Sequence, residues 1–137
     1  MRKGEGGFTL IELLIVIIIL GILAAVVAFN VGGFLGAGTC ETAKTEMAGV
    51  QTAIIAGMAN MSCGTISSGT VAAGATSVVV NCTVGNSSFD LGAFLKLPTH
   101  GTWSWGSDGV ITSGSYQGGG KTANYTNGTW GGNACPP

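Results

Sequence analysis

Glu12 is the one charged side chain in an apolar run that extends from Phe8 to Phe29. A carboxylate at the centre of a bilayer-spanning helix costs about 2.5–3.5 kcal/mol, and less near its edge. Its retention so near the start of the run asks for a partner, and a positively charged amine is the natural one. A second set of reactive groups lies beyond the run: Cys40, Cys63, Cys82 and Cys135. An even number of cysteines in a small, loop-rich region reads as two disulfides formed in an oxidising compartment. There is no Cys-x-x-Cys spacing and a single histidine, His100, so neither a zinc site nor any other metal site is expected. His100 lacks the partners of a Ser–His–Asp or Cys–His arrangement. No catalytic residue and no cofactor is expected, and the chain does not read as an enzyme. The acids after Met61 are Asp90 and Asp108; Asp108 suits a turn, which leaves too few carboxylates for calcium.

These groups must be positioned by a chain of 137 residues in which 8% are charged and 46% apolar. An ordinary soluble domain has about 25% charged residues. The apolar excess is concentrated in the first third, whereas the remainder is rich in Gly, Ser, Thr and Asn, the composition of a secreted β-rich domain. A formal net charge of −1 points to no specific nucleic-acid partner. Residues 1–7 form a polar leader with Arg2, Lys3 and Glu5, and 8–31 read as a transmembrane helix. Its length suffices for a bilayer at about 1.5 Å per residue, and the basic start predicts a cytoplasmic N-terminus. Gly32, Gly33, Gly36 and Gly38 each weaken a helix by about 0.8–1 kcal/mol relative to alanine, so 32–39 read as a flexible junction. Residues 40–61 form an amphipathic helix whose buried stripe is Ala43, Met47, Val50, Ile54, Met58 and Met61, with Thr42, Thr45, Glu46, Gly49 and Thr52 on the far side.

Residues 62–137 read as a β-rich head. Ser77–Val84 is a strand by its β-branched content, and Asp90–Leu97 a short helix stopped by Pro98. Thr102–Gly106 and Val110–Tyr116 flank a hairpin turn at Ser107-Asp108-Gly109, and Asn127-Gly128 marks a second hairpin between Ala123–Thr126 and Thr129–Gly131. Gly118–Gly120 reads as a loop. Trp103 and Trp105 share one strand face; with Tyr116 and Trp130 they form either the core of the sheet, which is favoured, or an exposed sugar-binding platform. The fold class is α+β, a long N-terminal helix against a small antiparallel sheet. A helix over about 41–61 separates Cys40 from Cys63 by some 30 Å, whereas a disulfide holds its α-carbons within about 7 Å. That excludes Cys40–Cys63 with Cys82–Cys135. Cys63–Cys82 with Cys40–Cys135 is preferred, and Cys40–Cys82 with Cys63–Cys135 stays open.

The run Gly7-Phe8-Thr9-Leu10-Ile11-Glu12-Leu13-Leu14-Ile15-Val16-Ile17 resembles the cleavage and methylation motif of bacterial type IV prepilins and type II secretion pseudopilins. The resemblance extends from Gly7 to about Ala28. It implies that a membrane prepilin peptidase cuts between Gly7 and Phe8 and N-methylates the new terminus at Phe8. It implies that Glu12 meets the Phe8 amine of a neighbouring subunit during assembly, and that Gly21 lies where the helix unwinds in assembled pili. Phe29 stands where many such pilins carry a helix-kinking proline; Gly32 and Gly33 are candidates to melt instead. The bare backbone at Gly7 can lie extended in a protease site.

The resulting expectation is the structural subunit, a major pilin, of a type IV pilus. It waits in the inner membrane and then enters a homopolymeric extracellular filament through the pilus assembly platform and its ATPase machinery. The alternatives are a type II secretion pseudopilin or minor pilin, and an adhesive module displayed on the filament.

Overall fold

The computed structural model describes residues 6–136, without the side chains of 29–36. Helix α1 (Leu10–Asn60) is followed by β1 (Gly69–Val71), β2 (Val79–Asn81), β3 (Ser88–Asp90), a 3-10 turn (Leu91–Ala93), β4 (Thr102–Trp105), β5 (Ile111–Gly118), β6 (Lys121–Thr126) and β7 (Thr129–Gly131). Strands β1-β4-β5-β6-β7 form a five-stranded antiparallel sheet, and β2 and β3 a separate pair. The fold is α+β. The chain divides into two compact units, one ending at Phe34 and the other beginning at Leu35.

The first unit holds the apolar part of α1. Leu10–Ala28 is long and apolar enough to cross a membrane, with a mean hydropathy of 3.2, and none of it is buried. Backbone helix continues through Gly32, Gly33, Gly36 and Gly38, where the sequence suggests a junction. Four glycines cost a helix about 3–4 kcal/mol relative to alanine. Helix propagation is cooperative, so a segment bounded by helix on both sides can stay helical at that cost. The surroundings of Gly32 and Gly33 lie outside the described residues.

The second unit contains the buried core and both disulfides. Ala43, Val50, Ala53 and Ile54 of α1 pack with Trp103, Trp105, Ile111, Tyr116 and Ala123 of the sheet. The helical stripe is rotated slightly from the one expected: Ala53 is buried, Met47 and Met58 are half-buried, and Met61 lies past the helix end and is exposed. Trp103, with no exposed surface, belongs to the core. Trp130 is half-buried and meets Trp103 edge-on at 6.2 Å between ring centroids. Gly114 is paired with Trp103 across β4 and β5, and any Cβ there would run into the indole ring; the missing side chain is what lets the ring lie on the strand. The β6–β7 hairpin turns at Asn127 and Gly128, with φ of 45° and 91°, the left-handed pair a two-residue hairpin requires.

Two local expectations are corrected. Asp90–Leu97 is not a helix of its full length: Asp90 ends β3 and caps only the 3-10 turn, its carboxylate accepting from Gly92 N at 2.9 Å and from Ser77 Oγ at 3.1 Å. The bonds from the Gly92 and Val78 amides, and then from Ser77, hold this carboxyl below its ordinary value. Ser77–Val84 contributes only Val79–Asn81 as strand. Cys82 follows in an isolated bridge to Ile66.

Glu46 is the larger correction. Expected on the solvent side, its carboxylate is only 16% exposed. Oε1 accepts from Gly101 N at 2.7 Å and Trp103 Nε1 at 2.9 Å, and Oε2 accepts from His100 N at 2.9 Å. One side chain thus ties the helix to the loop entering β4. Glu46→Ala leaves the buried Gly101 amide and Trp103 indole without an acceptor, at about 1–3 kcal/mol each. The expected loss is about 2–4 kcal/mol, measured by urea unfolding of the full chain in detergent micelles. Tryptophan emission reports the head alone, since Trp103, Trp105 and Trp130 all lie there. Glu46→Gln, which keeps the Oε1 acceptor, should lose less.

Tyr116 is buried beneath the same helix. Desolvation, and secondarily the negative charge of Glu46, raise its phenol above the ordinary value of 10.0. Because the folded state holds this proton more tightly, its contribution to stability is complete below pH 10 and is lost as pH rises above it. An ultraviolet titration should show a late-ionising phenol that disappears in Tyr116→Phe. Ionisation of Tyr116 at the ordinary value would contradict this.

Candidate processing and assembly site

The start of α1 is built by four residues. Thr9 precedes the first helical residue, Leu10, and Glu12 follows three positions after Thr9, the Thr-x-x-Glu spacing of a capping box. Glu12 Oε2 accepts from Thr9 N at 2.7 Å and from Thr9 Oγ1 at 2.7 Å, and Thr9 Oγ1 accepts from Glu12 N at 3.3 Å. The orphan donors that every helix start exposes are thereby partly satisfied. A carboxylate in the first turn also faces the positive end of the helix dipole. Phe8 and Leu13 occupy the two positions of a hydrophobic staple around the cap. Phe8, Glu12, Leu13, Ile15 and Val16 line one shallow concave surface.

Phe8 is 90% exposed, and nothing stands within 4 Å of where a Cβ on Gly7 would be. Among the described residues, nothing therefore covers the Gly7–Phe8 peptide on the Gly7 side. Cutting it would leave the Thr9 N–H in the cap, because the Phe8–Thr9 bond survives. The new amine would arise one residue before that cap. Both bonds to the Glu12 carboxylate fall on Oε2, so Oε1 meets no donor among the described residues.

The structure therefore gathers Phe8 and Glu12 at one helix end. Gly21 lies farther along α1, with nothing within 4 Å of an added Cβ; Gly32 and Gly33 are in helical backbone, their surroundings undescribed. Arg2 and Lys3 of the leader lie outside the described residues. Thr9 is a participant absent from the expectation that pairs Glu12 with an amine alone. Its signal is local: a threonine three residues before a glutamate, ahead of an apolar run.

Cys40 and Cys135 form one disulfide, with α-carbons 5.2 Å apart, and Cys63 and Cys82 the other, at 5.7 Å. Among the described residues no group of three or more His, Cys, Asp or Glu side chains is placed to hold a metal ion.

No curated protein and no solved structure matches the chain. Residues 2–28 match the family model for the prokaryotic N-terminal methylation motif. The match covers Gly7, Phe8, the cap and the apolar segment, and it ends before the head. The chain carries the N-terminal signature of type IV prepilins and pseudopilins, and is a type IV pilin- or pseudopilin-like protein.

Proposed function

We propose that the chain is the structural subunit of a type IV pilus. The observation that carries this reading is the apolar segment Leu10–Ala28, wholly exposed, with the capped Phe8–Glu12 site at its start. Apolar area of that extent is stable only in lipid or against other apolar surface, at about 25 cal/mol per Å². A bilayer covers it before assembly and the same segment of neighbouring subunits covers it afterwards. Small residues along it, Gly21, Ala24, Ala25 and Ala28, suit close helix approach.

In this reading, prepilin peptidase cuts after Gly7 and N-methylates Phe8. The N-terminus lies on the cytoplasmic side of the inner membrane, and the assembly platform and its ATPase deliver the subunit into a homopolymer. Gly21, with Gly32 and Gly33, would be where α1 unwinds inside the filament. The test is intact-mass and N-terminal peptide analysis of filaments sheared from cells. A dominant subunit starting at N-methylated Phe8 supports the major-pilin reading. Processed protein confined to membranes would instead make it a pseudopilin or minor pilin.

A further inference from the structure

We propose that Asn127–Gly128 is a site at which the head modifies its own backbone, the asparagine passing through a cyclic imide to aspartate and isoaspartate. Of the chain's asparagines only Asn127 precedes a glycine, where no Cβ hinders the amide nitrogen. Both residues are exposed at the tip of the β6–β7 hairpin, and nothing stands within 4 Å of where a Cβ on Gly128 would be. Among the described residues the Asn127 side chain has no hydrogen-bond partner, and Gly128 N has no acceptor. The chain holds one other pair of this kind, Asp108–Gly109, and the fold ties it down. Asp108 Oδ1 accepts from Val110 N at 3.0 Å, and Gly109 N donates to Gly106 O at 3.0 Å. The attacking nitrogen and the group it attacks are thus free in one turn and engaged in the other.

The reaction needs only water. Gly128 N attacks Asn127 Cγ, the bond from Cγ to the side-chain nitrogen breaks, and ammonia leaves with the amide proton. Closure is favoured because both reacting groups already sit on adjacent residues. Water then adds to either imide carbonyl. One opening gives aspartate, and the other gives isoaspartate, whose main chain runs through the former side-chain methylene. The ring requires Asn127 to leave its left-handed conformation, φ 45°, so the folded turn reacts more slowly than an unfolded chain. Either product carries a negative charge where the parent has none. Isoaspartate also lengthens a loop that the turn needs at two residues. That loop sets the register of Tyr125 on Trp130, whose ring meets Trp103 at 6.2 Å. Asn127 N also donates to Thr112 O at 2.8 Å. The head therefore ages first at one defined place, and there the oldest molecules loosen β7. The inference is independent of whether the chain is a major or a minor filament subunit.

The test is peptide mapping of the full chain, held in detergent micelles in heavy-oxygen water at mildly alkaline pH. A zero-time sample subtracts conversion during digestion. Each passage through the imide leaves one heavy oxygen in the product, so water opening of the ring is read directly. The expected outcome is heavy oxygen accumulating at residue 127 roughly tenfold faster than at any other asparagine, with isoaspartate among the products. Adding urea should speed exchange at Asp108 more than at Asn127, because unfolding at Asp108 releases both reacting groups from hydrogen bonds. An Asn127 that stays an amide overturns the proposal, as does another asparagine that converts as fast. So does urea that speeds Asn127 as much as Asp108, since the fold would then protect both turns alike.

Discussion

A Cys40→Ser/Cys135→Ser variant is expected to lose about 4 kcal/mol of head stability, more than any other change to a single contact considered above. The bridge joins residues 95 positions apart, and in the chain-entropy account closing a loop of that size restrains the unfolded state by about 4.7 kcal/mol. It also has a local role. Cys40 lies on α1 beside Thr39, whose hydroxyl donates to Gly118 O at the end of β5. Cys135 ends a segment bonded to β6, with Ala134 N donating to Thr122 O and Thr122 N donating to Asn133 Oδ1. One covalent link thus holds both the β5–β6 turn and the C-terminal segment to the helix. Removing Cys63–Cys82, whose separation is 19, should cost about 3 kcal/mol on the same account. Urea unfolding of the two variants, followed by tryptophan emission, checks both the size and the order. If the long-range pair proved the less important one, loop closure would not be what this bridge contributes.

The elements legible in the sequence are those whose causes are local. The β4–β5 and β6–β7 hairpins are legible because their turns are encoded by adjacent residues, Asp108-Gly109 and Asn127-Gly128. The apolar segment is a matter of composition over a single window. The exclusion of a Cys40–Cys63 bridge needed only the length of one helix. Choosing between the remaining pairings depends on where the last strand ends, which no local pattern records. Strand β1 has no local signal, because Gly69–Val71 is short and Ser104, the partner of Thr70, lies 34 residues away. The burial of Glu46 is not legible because its helical position is at the margin of the apolar stripe. The donors that bury it, from His100 to Trp103, are supplied 54–57 residues later. Thr9 is a different case, since its spacing from Glu12 is a local signal that the sequence carries in full.

Glu12→Gln is expected to abolish filaments while leaving the leader cut and the head folded. If Glu12 served only its own helix, Glu12→Gln would be milder than Thr9→Val, because a glutamine oxygen can still accept from Thr9 N in the capping box whereas valine removes the Thr9 hydroxyl. A lost cap costs about 1 kcal/mol, and most of α1 would be untouched. A carboxylate that also meets the Phe8 amine of a neighbour does more. Two unit charges about 4 Å apart interact with roughly 4 kcal/mol at an effective dielectric of about 20. That is close to three decades in each subunit's association constant. Thr9→Val should therefore reduce filament yield modestly, and Glu12→Gln should remove filaments from the sheared fraction. The comparison is made in cells with equal amounts of processed subunit, quantified by mass spectrometry of the Phe8-containing peptide. A filament yield from Glu12→Gln at or above that from Thr9→Val would confine Glu12 to helix capping. Normal filaments from Glu12→Gln would remove the charge pair from the account of assembly, leaving apolar burial along Leu10–Ala28 to set the register alone.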